Sequence, residues 1–266
     1  MAEDVRVLVV DDEPDLAEMA SVFLEREGEA LLADVETDPA DALERFDAEP
    51  YDCVVSDYDM PGMNGLELLA AVRERAPDLP FVLYTGKGSE EIASEAISAG
   101  VTDYLQKEVG TDQFAVLANT VENAVEKHRT ERALRESQYR FDAVFHDPNS
   151  FIGLLATDGT VTRVNQTALD AVGADADDVE GRKFWRTPWW PGDVCEDLRS
   201  WIDAAADGDF VRFHAPNVVE DDGSGNDGRV LLDVLIRPVR DENGEVDALI
   251  AEGRSLEALK ERVEAP

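Results

Sequence analysis

Acidic, hydroxyl and amine side chains stand at the ends of four apolar runs in the first half of the sequence. Carboxylate oxygens that leave one side open suit Mg²⁺ as ligands. A hydroxyl and an ammonium group beside them suit a phosphoryl group, whose oxygens need neutralising charge. The residue types therefore indicate phosphoryl chemistry supported by a metal ion. The residues are Asp11 and Asp12 after VRVLVV, Asp57 at the end of YDCVVSD, Thr85 at the end of PFVLYT and Lys107 at the end of TDYLQK.

The apolar runs that carry these residues read as strands of one parallel sheet. They lack in-and-out alternation, which indicates that helices cover both faces of the sheet. In an open sheet of this kind, chemistry sits beyond the carboxyl ends of the strands. We therefore predict that the five side chains meet at one edge of a doubly wound, five-stranded parallel sheet. Strands are predicted at 5–10, 30–35, 51–57, 80–85 and 102–107, and helices at 14–26, 39–48, 65–75, 89–99 and from 111 onward.

Each of these residues taken alone has a simpler explanation. In a chain with 60 acidic residues, the pair Asp11 and Asp12 could be solvated surface. Thr85 could be a turn hydroxyl, and Lys107 could be a surface lysine. The agreement of residue type and strand end at four separate positions favours a common site.

Residues 5–120 resemble a response-regulator receiver domain. The resemblance rests on VLVVDDEPD, VVSDYDMPGMNGLELL, VLYTGKG and DYLQKE, which together span the first domain. It implies a flavodoxin-like strand order, Mg²⁺ as cofactor and phosphorylation of one aspartate. The implied roles are Asp57 as phospho-acceptor, Asp12 as direct metal ligand, Asp11 as holder of metal-bound water, Asp59 as ligand through its backbone carbonyl, Thr85 and Lys107 as partners of the phosphoryl oxygens, and Tyr104 as switch residue.

The residue after the lysine departs from the receiver pattern. Receivers usually have proline there, whereas this chain has Glu108. A cis peptide bond is therefore not expected at this position, because cis bonds are almost confined to proline. The effect of Glu108 on the position of Lys107 is left open.

The chain changes character after residue 120. We predict a receiver domain at 1–120, a helical linker at 121–140, a second domain at 141–256 and a short tail at 257–266. The linker carries predicted charge pairs four residues apart, which are Glu131 with Arg135, Arg132 with Glu136 and Glu136 with Arg140.

The second domain reads as two strands joined by an Asp158-Gly159 turn, then helices, then three strands with a polar loop at 220–228 between the first two of them. This order indicates an α+β fold with an antiparallel sheet and helices on one side. The second domain resembles a PAS sensor domain through YRFDAVFHDPNSFIGLLATDGTVTRVNQTALDAVG, FWRTPWWPGD and LIRPVRDENGEVDALIAEGR.

No ligand of the second domain can be chosen from the sequence. PAS domains bind small molecules, haem or flavin, or mediate dimerisation. His214 fits a satisfied sheet histidine better than a haem ligand, and Cys195 lacks the context of a flavin-adduct cysteine. His146 reads as a turn residue, and His128 as helix surface rather than a phospho-acceptor. The four tryptophans fit core positions better than a pocket lining; they are Trp185, Trp189, Trp190 and Trp201.

The composition is strongly acidic. A formal net charge of −36, from 60 acidic and 24 basic residues, is typical of a haloarchaeal, high-salt cytosol and repels nucleic acid and anionic membranes. No apolar run is long enough for a membrane span, and the N-terminus does not read as a secretory signal. We expect a cytoplasmic protein that binds neither nucleic acid nor membrane. Cys53 lies in an apolar run and is expected in the core.

The combined features predict a two-component phosphorelay response regulator. A partner histidine kinase or phosphotransfer protein would phosphorylate Asp57, and a homodimer could form through the PAS domain or the linker helix. No kinase catalytic boxes occur in the sequence, so we expect no enzyme beyond self-supported phosphorylation and dephosphorylation. Three alternatives remain: a ligand- or cofactor-sensing PAS protein whose receiver serves mainly in interaction, a phosphate sink related to a hybrid kinase, and a transcriptional regulator.

Overall fold

The chain folds into two compact units, Met1–Glu136 and Ser137–Pro266, each with its own sheet. The predicted polar loop at 220–228 and the predicted tail at 257–266 lie outside the described residues. The predicted limits of the receiver, linker, second domain and tail stay predictions. The computed structural model describes residues 4–28, 30–86, 90–108, 110–218 and 229–256.

The first unit contains a five-stranded sheet with the order β2-β1-β3-β4-β5. All neighbouring strands run parallel. The predicted parallel sheet and its flavodoxin-like order are confirmed. The strands are β1 Val5–Val10, β2 Leu31–Glu36, β3 Cys53–Ser56, β4 Phe81–Thr85 and β5 Asp103–Gln106.

Helices cover both faces of this sheet, which explains why its central strands are apolar throughout. Val7 and Val9 of β1 pack into one core with α1 and α5. Leu8 and Val10 of the same strand pack into a second core with α2, α3 and α4. Both faces of the sheet are thus covered by helices, and the carboxyl ends of its strands remain available for chemistry. The helices are α1 Pro14–Glu27, α2 Pro39–Ala48, α3 Gly65–Arg75, α4 Glu90–Ala99 and α5 Asp112–Phe145.

Local sequence signals fix where the helices of the first unit begin. Pro39 opens α2, and the Asp38 side chain accepts a hydrogen bond from the Ala40 amide at 2.8 Å. Asn64 and Glu67 form a reciprocal capping box at the start of α3. These hydrogen bonds fix the residue at which α3 begins, a short distance along the chain from Asp57.

The last helix, α5, is one continuous element of 34 residues, as predicted. Its first half carries a buried apolar stripe, formed by Phe114, Leu117, Val121 and Val125. In its second half Leu134 is 58% exposed. The apolar packing of α5 in the first unit therefore ends well before the helix does.

Ion pairs hold α5 beyond its apolar stripe. Arg135 bonds Asp78 at 2.5 Å and the backbone carbonyl of Glu131, instead of the predicted Glu131 carboxylate. The predicted pair of Arg132 with Glu136 forms at 3.0 Å. Arg135 pairs with Asp78 because this carboxylate, which is distant in sequence, lies within reach in the folded chain. Helix spacing alone does not predict this contact.

The second unit contains a five-stranded antiparallel sheet with the order β7-β6-β10-β9-β8. Short helices cover one face of it, as predicted for the α+β fold. The strands are β6 Phe151–Ala156, β7 Val161–Val164, β8 Val211–Val218, β9 Arg229–Arg240 and β10 Val246–Ser255, and the helices are α6 Gln166–Asp170, α7 Ala176–Val179 and α8 Cys195–Ala206.

The core of the second unit is rich in aromatic residues. Trp189 and Trp190 are buried in it, and Trp185 and Trp201 pack against it partly buried, in agreement with the predicted core positions. Trp189 and Trp190 also line a small cavity, so for these two residues the core and pocket alternatives are not exclusive. The predicted Asp158-Gly159 turn joins β6 to β7, with Gly159 at φ +76°. This glycine allows the left-handed turn that other residues resist.

The two cysteines lie in different units. Cys53 is fully buried in β3, as predicted, and burial raises the pKa of its thiol. Cys195 begins α8 and is partly buried, with its Sγ 3.0 Å from the Trp185 carbonyl. Over the described parts of the chain, no helix combines the length and apolar character that crossing a membrane requires.

Candidate functional site

The predicted site residues stand where the parallel strands of the first unit end. Asp11 follows β1, Asp57 follows β3, Thr85 ends β4 and Lys107 follows β5. The sheet pairing continues past the strand ends, because the Asp57 amide donates to Val10 O at 2.8 Å and the Lys107 amide to Thr85 O at 2.8 Å. Backbone hydrogen bonds therefore fix the starting point of each side chain.

Lys107 joins two of the carboxylates directly. Its Nζ donates to Asp11 Oδ2 at 2.5 Å and to Asp57 Oδ1 at 2.7 Å. The other oxygens are also held, since Asp57 Oδ2 accepts from the Asp59 amide at 2.7 Å and Asp11 Oδ1 from the Glu13 amide at 3.1 Å. The structure thus brings residues from three strand ends into one hydrogen-bonded cluster.

Both carboxylates of the cluster are buried, with Asp11 5% and Asp57 8% exposed. Burial raises the pKa of Asp11, against the lowering effect of the Lys107 ammonium. Burial alone would lower the pKa of Lys107, but its hydrogen bonds to the two carboxylates outweigh burial and raise that pKa. The ammonium therefore stays charged near neutral pH, and the site favours positive charge.

Thr85 and Tyr104 lie on the two strands next to this cluster. Thr85 ends β4, and Tyr104 lies on β5, the strand that precedes Lys107. Thr85 is 1% exposed and shares a backbone hydrogen bond with Lys107. Tyr104 lies on β5 opposite Leu83 of β4 and packs, partly buried, against the core that includes this leucine. Their positions are compatible with the predicted phosphoryl contact and switch roles, which stay predictions.

The residues predicted to bind magnesium differ in burial. Asp12 is half-buried next to Asp11, and Asp59 is exposed. Within the described ranges, no three His, Cys, Asp or Glu side chains are arranged to hold a metal ion. The Lys107 ammonium lies between Asp11 and Asp57 instead. The donor chemistry nevertheless fits Mg²⁺, because two buried carboxylates already surround a cation, and the metal site stays a prediction.

Gly65 contributes to the site in a way the sequence analysis did not foresee. A Cβ at this position would lie 2.3 Å from the Asp57 carbonyl oxygen and 2.8 Å from Leu83 Cδ1. The Gly65 amide donates to Tyr58 O at 2.9 Å. The start of α3 can approach the Asp57 backbone only because Gly65 lacks a side chain. A glycine directly after the N-cap Asn64 was the available signal.

Tyr84 was also missed. Its ring centroid lies 5.7 Å from Lys107 Nζ, within the range of a cation–π contact. Burial raises the pKa of Tyr84 to about 12, so its ring stays neutral beside the ammonium. No sequence signal could distinguish Tyr84 from the apolar residues of its strand. Its contact depends on the path of the Lys107 side chain, which starts after β5.

The Gln113 side chain is hydrogen-bonded to the backbone of two residues that follow Lys107. The Glu108 amide donates to Gln113 Oε1 at 2.8 Å, and Gln113 Nε2 donates to Gly110 O at 2.7 Å. The described residues contain no cis peptide bond, in agreement with the expectation for Glu108. The segment after Lys107 is therefore held by a side-chain amide.

None of the three histidines belongs to the core of the second unit. His214 on β8 has a side chain that is 58% exposed, and its Nε2 lies 3.4 Å from Asp233 Oδ1. This exposed, paired position agrees with the sheet-histidine interpretation. His146 is exposed in the turn after α5, as predicted, and His128 is partly buried on α5.

Two protein families match the chain, in the predicted order. Residues 7–119 match the response regulator receiver domain, and residues 145–261 match the PAS fold. These matches support the resemblances drawn from the sequence blocks. They do not bear on the haloarchaeal assignment, which stays a prediction.

Characterised relatives match the receiver half of the chain. The nitrogen assimilation regulatory protein NtrX of Azorhizobium caulinodans is 34% identical over 51% of this chain and 29% of its own length. The probable transcriptional regulatory protein TcrX of Mycobacterium tuberculosis is 38% identical over 43% and 48%. The sensor histidine kinase TmoS of Ectopseudomonas mendocina is 32% identical over 42% and 12%. The chain thus spans less than half the length of each of these relatives.

Solved structures also resemble this half. Chemotaxis protein CheY4 of Vibrio cholerae shares 28% identity with a TM-score of 0.41, covering 44% of this chain and 98% of its own. NtrX of Brucella abortus, solved with ADP, shares 28% identity with a TM-score of 0.45, covering 50% of this chain and 29% of its own.

Proposed function

We propose that this chain, in which a response regulator receiver domain is followed by a PAS domain, is a phosphorelay response regulator phosphorylated on Asp57. One observation carries the proposal: the Lys107 ammonium is held between the buried carboxylates of Asp11 and Asp57 at the free edge of the parallel sheet. A buried acid beside a fixed cation is suited to accept a transferable anion.

Asp57 is the nucleophile of the proposed reaction. One of its carboxylate oxygens attacks the phosphorus of a phosphohistidine on the partner, and the phosphorus–nitrogen bond breaks as the new phosphorus–oxygen bond forms. The imidazole leaves and takes up a proton. The product is an acyl phosphate on Asp57. The hydrogen bond from the Asp59 amide to Asp57 Oδ2 orients the carboxylate for this step.

Charge compensation is the main task of the neighbouring residues. Lys107 lies within 2.7 Å of Asp57 and can turn to an oxygen of the incoming phosphoryl group. Thr85 would donate its hydroxyl to a second oxygen. Asp12, Asp57 and the Asp59 backbone carbonyl would hold Mg²⁺ directly and Asp11 would hold it through a bound water, and the ion would neutralise charge on the phosphoryl oxygens.

Phosphorylation would act on the rest of the receiver through a packing change. Movement of the Thr85 hydroxyl toward the phosphoryl group would leave room for the ring of Tyr104, which is only partly buried on β5. A local charge change would in this way bias a bistable side chain. A histidine kinase or phosphotransfer protein is the proposed partner, and homodimerisation through the PAS domain or α5 is part of the proposal.

The proposed acceptor can be tested by intact-mass measurement after incubation with Mg²⁺ and acetyl phosphate. We expect the wild-type chain to gain the mass of one phosphoryl group, and we expect Asp57→Asn to gain none because the nucleophilic carboxylate is lost. Omitting Mg²⁺ should strongly reduce the adduct.

Asp59→Asn is the matched control, because the proposed contribution of this residue comes from its backbone. This variant should still be phosphorylated. An adduct that persists in Asp57→Asn, or a wild-type chain that gains no phosphoryl group, would show that the proposal is wrong.

A further inference from the structure

The Gln113 side chain, in the first turn of α5, uses its full hydrogen-bonding capacity. Its Oε1 accepts from the Glu108 amide at 2.8 Å and from the Tyr84 hydroxyl. Its Nε2 donates to the Glu108 carbonyl and, at 2.7 Å, to the Gly110 carbonyl. A carboxamide offers two acceptor positions and two N–H groups, so all four are paired. These partners fix the orientation of the amide, because turning it over would place an N–H group against the Glu108 N–H.

Core packing of the next residue fixes where the Gln113 side chain starts. Phe114 is 3% exposed, and its ring stacks on Phe23 of α1 with the ring centroids 4.5 Å apart. The first turn of α5 therefore cannot shift without disturbing the core of the receiver. Gln113 thus holds the segment after Lys107 against a packed helix.

Lys107 needs such support because its ammonium lies at the end of a long, flexible side chain. The Lys107 amide donates to Thr85 O at 2.8 Å, which ties the residue to β4. Directly after it, the N–H and the carbonyl of Glu108 are both paired with Gln113. The backbone is therefore held on both sides of the point from which the lysine side chain leaves.

Tyr84 connects the same amide to the ammonium group. Its ring centroid lies 5.7 Å from Lys107 Nζ, within the range of a cation–π contact. The Tyr84 ring is buried and lies edge-on to Phe114, and its hydroxyl is bonded to Gln113 Oε1. Gln113 therefore holds both the backbone that follows Lys107 and the ring beside its ammonium.

This contact depends on the absence of proline after the lysine. Proline has no backbone N–H, whereas Glu108 has one and donates it to Gln113 Oε1. The arrangement therefore requires both residue types of this sequence, a residue with an N–H group at 108 and a carboxamide at 113.

We infer that Gln113 is a positioning residue for the proposed phosphoryl transfer: together with Tyr84, it places the Lys107 ammonium where it can neutralise the phosphoryl group that arrives at Asp57. Gln113 itself contacts no reacting atom and acts through Lys107. The inference rests on the proposed phosphorylation of Asp57 and adds a residue on which the rate of that reaction depends.

The kinetic test follows phosphorylation of the full chain by acetyl phosphate, with intact-mass time courses at several Mg²⁺ concentrations. We expect Gln113→Leu to lower the maximal rate by about tenfold or more, because a small displacement of a group that acts in the transition state is costly. The half-saturating Mg²⁺ concentration should not change, since the four hydrogen bonds of Gln113 go to residues other than the proposed metal ligands. A general loosening of the receiver would weaken Mg²⁺ binding as well.

Two further variants separate the amide from its neighbours. Gln113→Glu keeps the size of the side chain but turns a carboxylate oxygen toward the Glu108 and Gly110 carbonyls, so it should slow the reaction at least as much as Gln113→Leu. Asn119→Leu is the matched control, because it removes another carboxamide of α5 that is exposed and bonded to the Ala115 carbonyl of the same helix. This control should react at the wild-type rate.

Tyr84→Phe tests the link between the ring and the amide. It removes the hydroxyl and keeps the ring beside Lys107, so it should slow the reaction less than Gln113→Leu. Added to Gln113→Leu, it should slow the reaction no further, because the hydroxyl has already lost its partner.

A measurement without phosphoryl transfer separates this inference from the proposed function. NMR of the unphosphorylated full chain should detect the Lys107 ammonium, because its hydrogen bonds to Asp11 and Asp57 slow proton exchange. Its absence in Lys107→Met identifies the signal. We expect Gln113→Leu to shift or broaden this signal and to speed hydrogen exchange of the Glu108 amide, whereas Asn119→Leu should change neither.

Two results would overturn the inference. The first is a Gln113→Leu chain that is phosphorylated at the wild-type rate. The second is an unchanged Lys107 ammonium signal in Gln113→Leu, whatever the rate. A wild-type chain that gains no phosphoryl group would instead overturn the proposed function, so the two failures can be told apart.

Discussion

At the scale of single residues, the position of Asp57 depends on a neighbour with no side chain. A Cβ at Gly65 would lie 2.3 Å from the carbonyl oxygen of Asp57 and 2.8 Å from Leu83 Cδ1. Two effects oppose each other when Gly65 is replaced by alanine. Alanine favours the helix by at most about 1 kcal/mol, whereas crowding a packed site costs about 1–3 kcal/mol. The crowding should prevail, because the closest atom belongs to the backbone.

We therefore predict that Gly65→Ala lowers the free energy of unfolding of the receiver by about 1 kcal/mol or more. It should also slow phosphorylation of Asp57 by acetyl phosphate, because the Asp57 backbone must shift. Urea unfolding and intact-mass time courses measure the two effects. Gly86→Ala is the control for stability, since its Cβ would meet nothing within 4 Å. Equal stability of the two variants would contradict the prediction.

Some contacts of the site residues could be predicted from the sequence and others could not. Asp11, Asp57 and Lys107 could be predicted to meet, because a parallel sheet gathers the carboxyl ends of its strands. The ion pairs of Lys107 with both carboxylates could not be predicted, because they depend on how far a flexible lysine side chain reaches. Trp190 Nε1 and Asn217 Oδ1 are buried without a hydrogen-bond partner among the described residues. This also could not be predicted from the sequence, because the pairing of a buried polar group depends on how the core packs.

At the scale of elements, one carboxylate ties the edge of the receiver sheet together. Asp34 on β2 accepts from Arg6 on β1 at 2.6 Å, from Arg45 on α2 at 2.7 Å and from the Tyr51 hydroxyl at 3.0 Å. Burial tends to raise the pKa of Asp34, but the bonds from Arg6 and Tyr51 and the charge of Arg45 outweigh it and lower that pKa.

The lowered pKa of Asp34 predicts the sign of a pH effect. Its stabilising contribution is complete above its ordinary value of 3.8 and is lost as the pH falls through the lower folded value. Asp34→Asn should therefore be less stable than the wild type at pH 7, by at most about 1 kcal/mol because the group is partly solvated. The difference should shrink below pH 3.8. Urea unfolding between pH 7 and pH 3 measures it.

Asp41→Asn is the matched control on the exposed side of α2. Its difference from the wild type at pH 7 should be smaller than that of Asp34→Asn, because the Asp41 side chain is exposed. An Asp34→Asn difference that grows on acidification would refute the assignment of the lowered pKa.

Element types and order were predictable where the residue pattern was strong. Helix α3 begins and ends where predicted, because Asn64 and Glu67 mark its start and Pro77 follows its end. The partner of Arg135 was not predictable, because Asp78 is distant in sequence and competes with Glu131 only in the folded receiver.

At the scale of the whole molecule, the two units have separate apolar cores. Leu117 is fully buried in the receiver core and Ile202 is fully buried in the core of the PAS domain. Large-to-small substitutions at such positions cost about 2–5 kcal/mol. The cost should fall on the unit that contains the substitution.

We predict that calorimetry resolves two unfolding transitions. Leu117→Ala should lower the melting temperature of one transition, and Ile202→Ala should lower that of the other, so each variant serves as the control of its counterpart. A single transition lowered by both variants would show that the units unfold as one. The high-salt origin suggested by the net charge of −36 stays a prediction at this scale.

The placement of the two thiols has a practical consequence. Cys53 is sealed inside β3 and its pKa is raised, so a thiol-directed reagent cannot reach its thiolate at neutral pH. Cys195 is partly accessible at the start of α8, beside the aromatic core of the PAS domain. The natural chain is therefore in effect a single-cysteine protein, in which a fluorophore attached at Cys195 would report on the PAS domain without any engineered substitution.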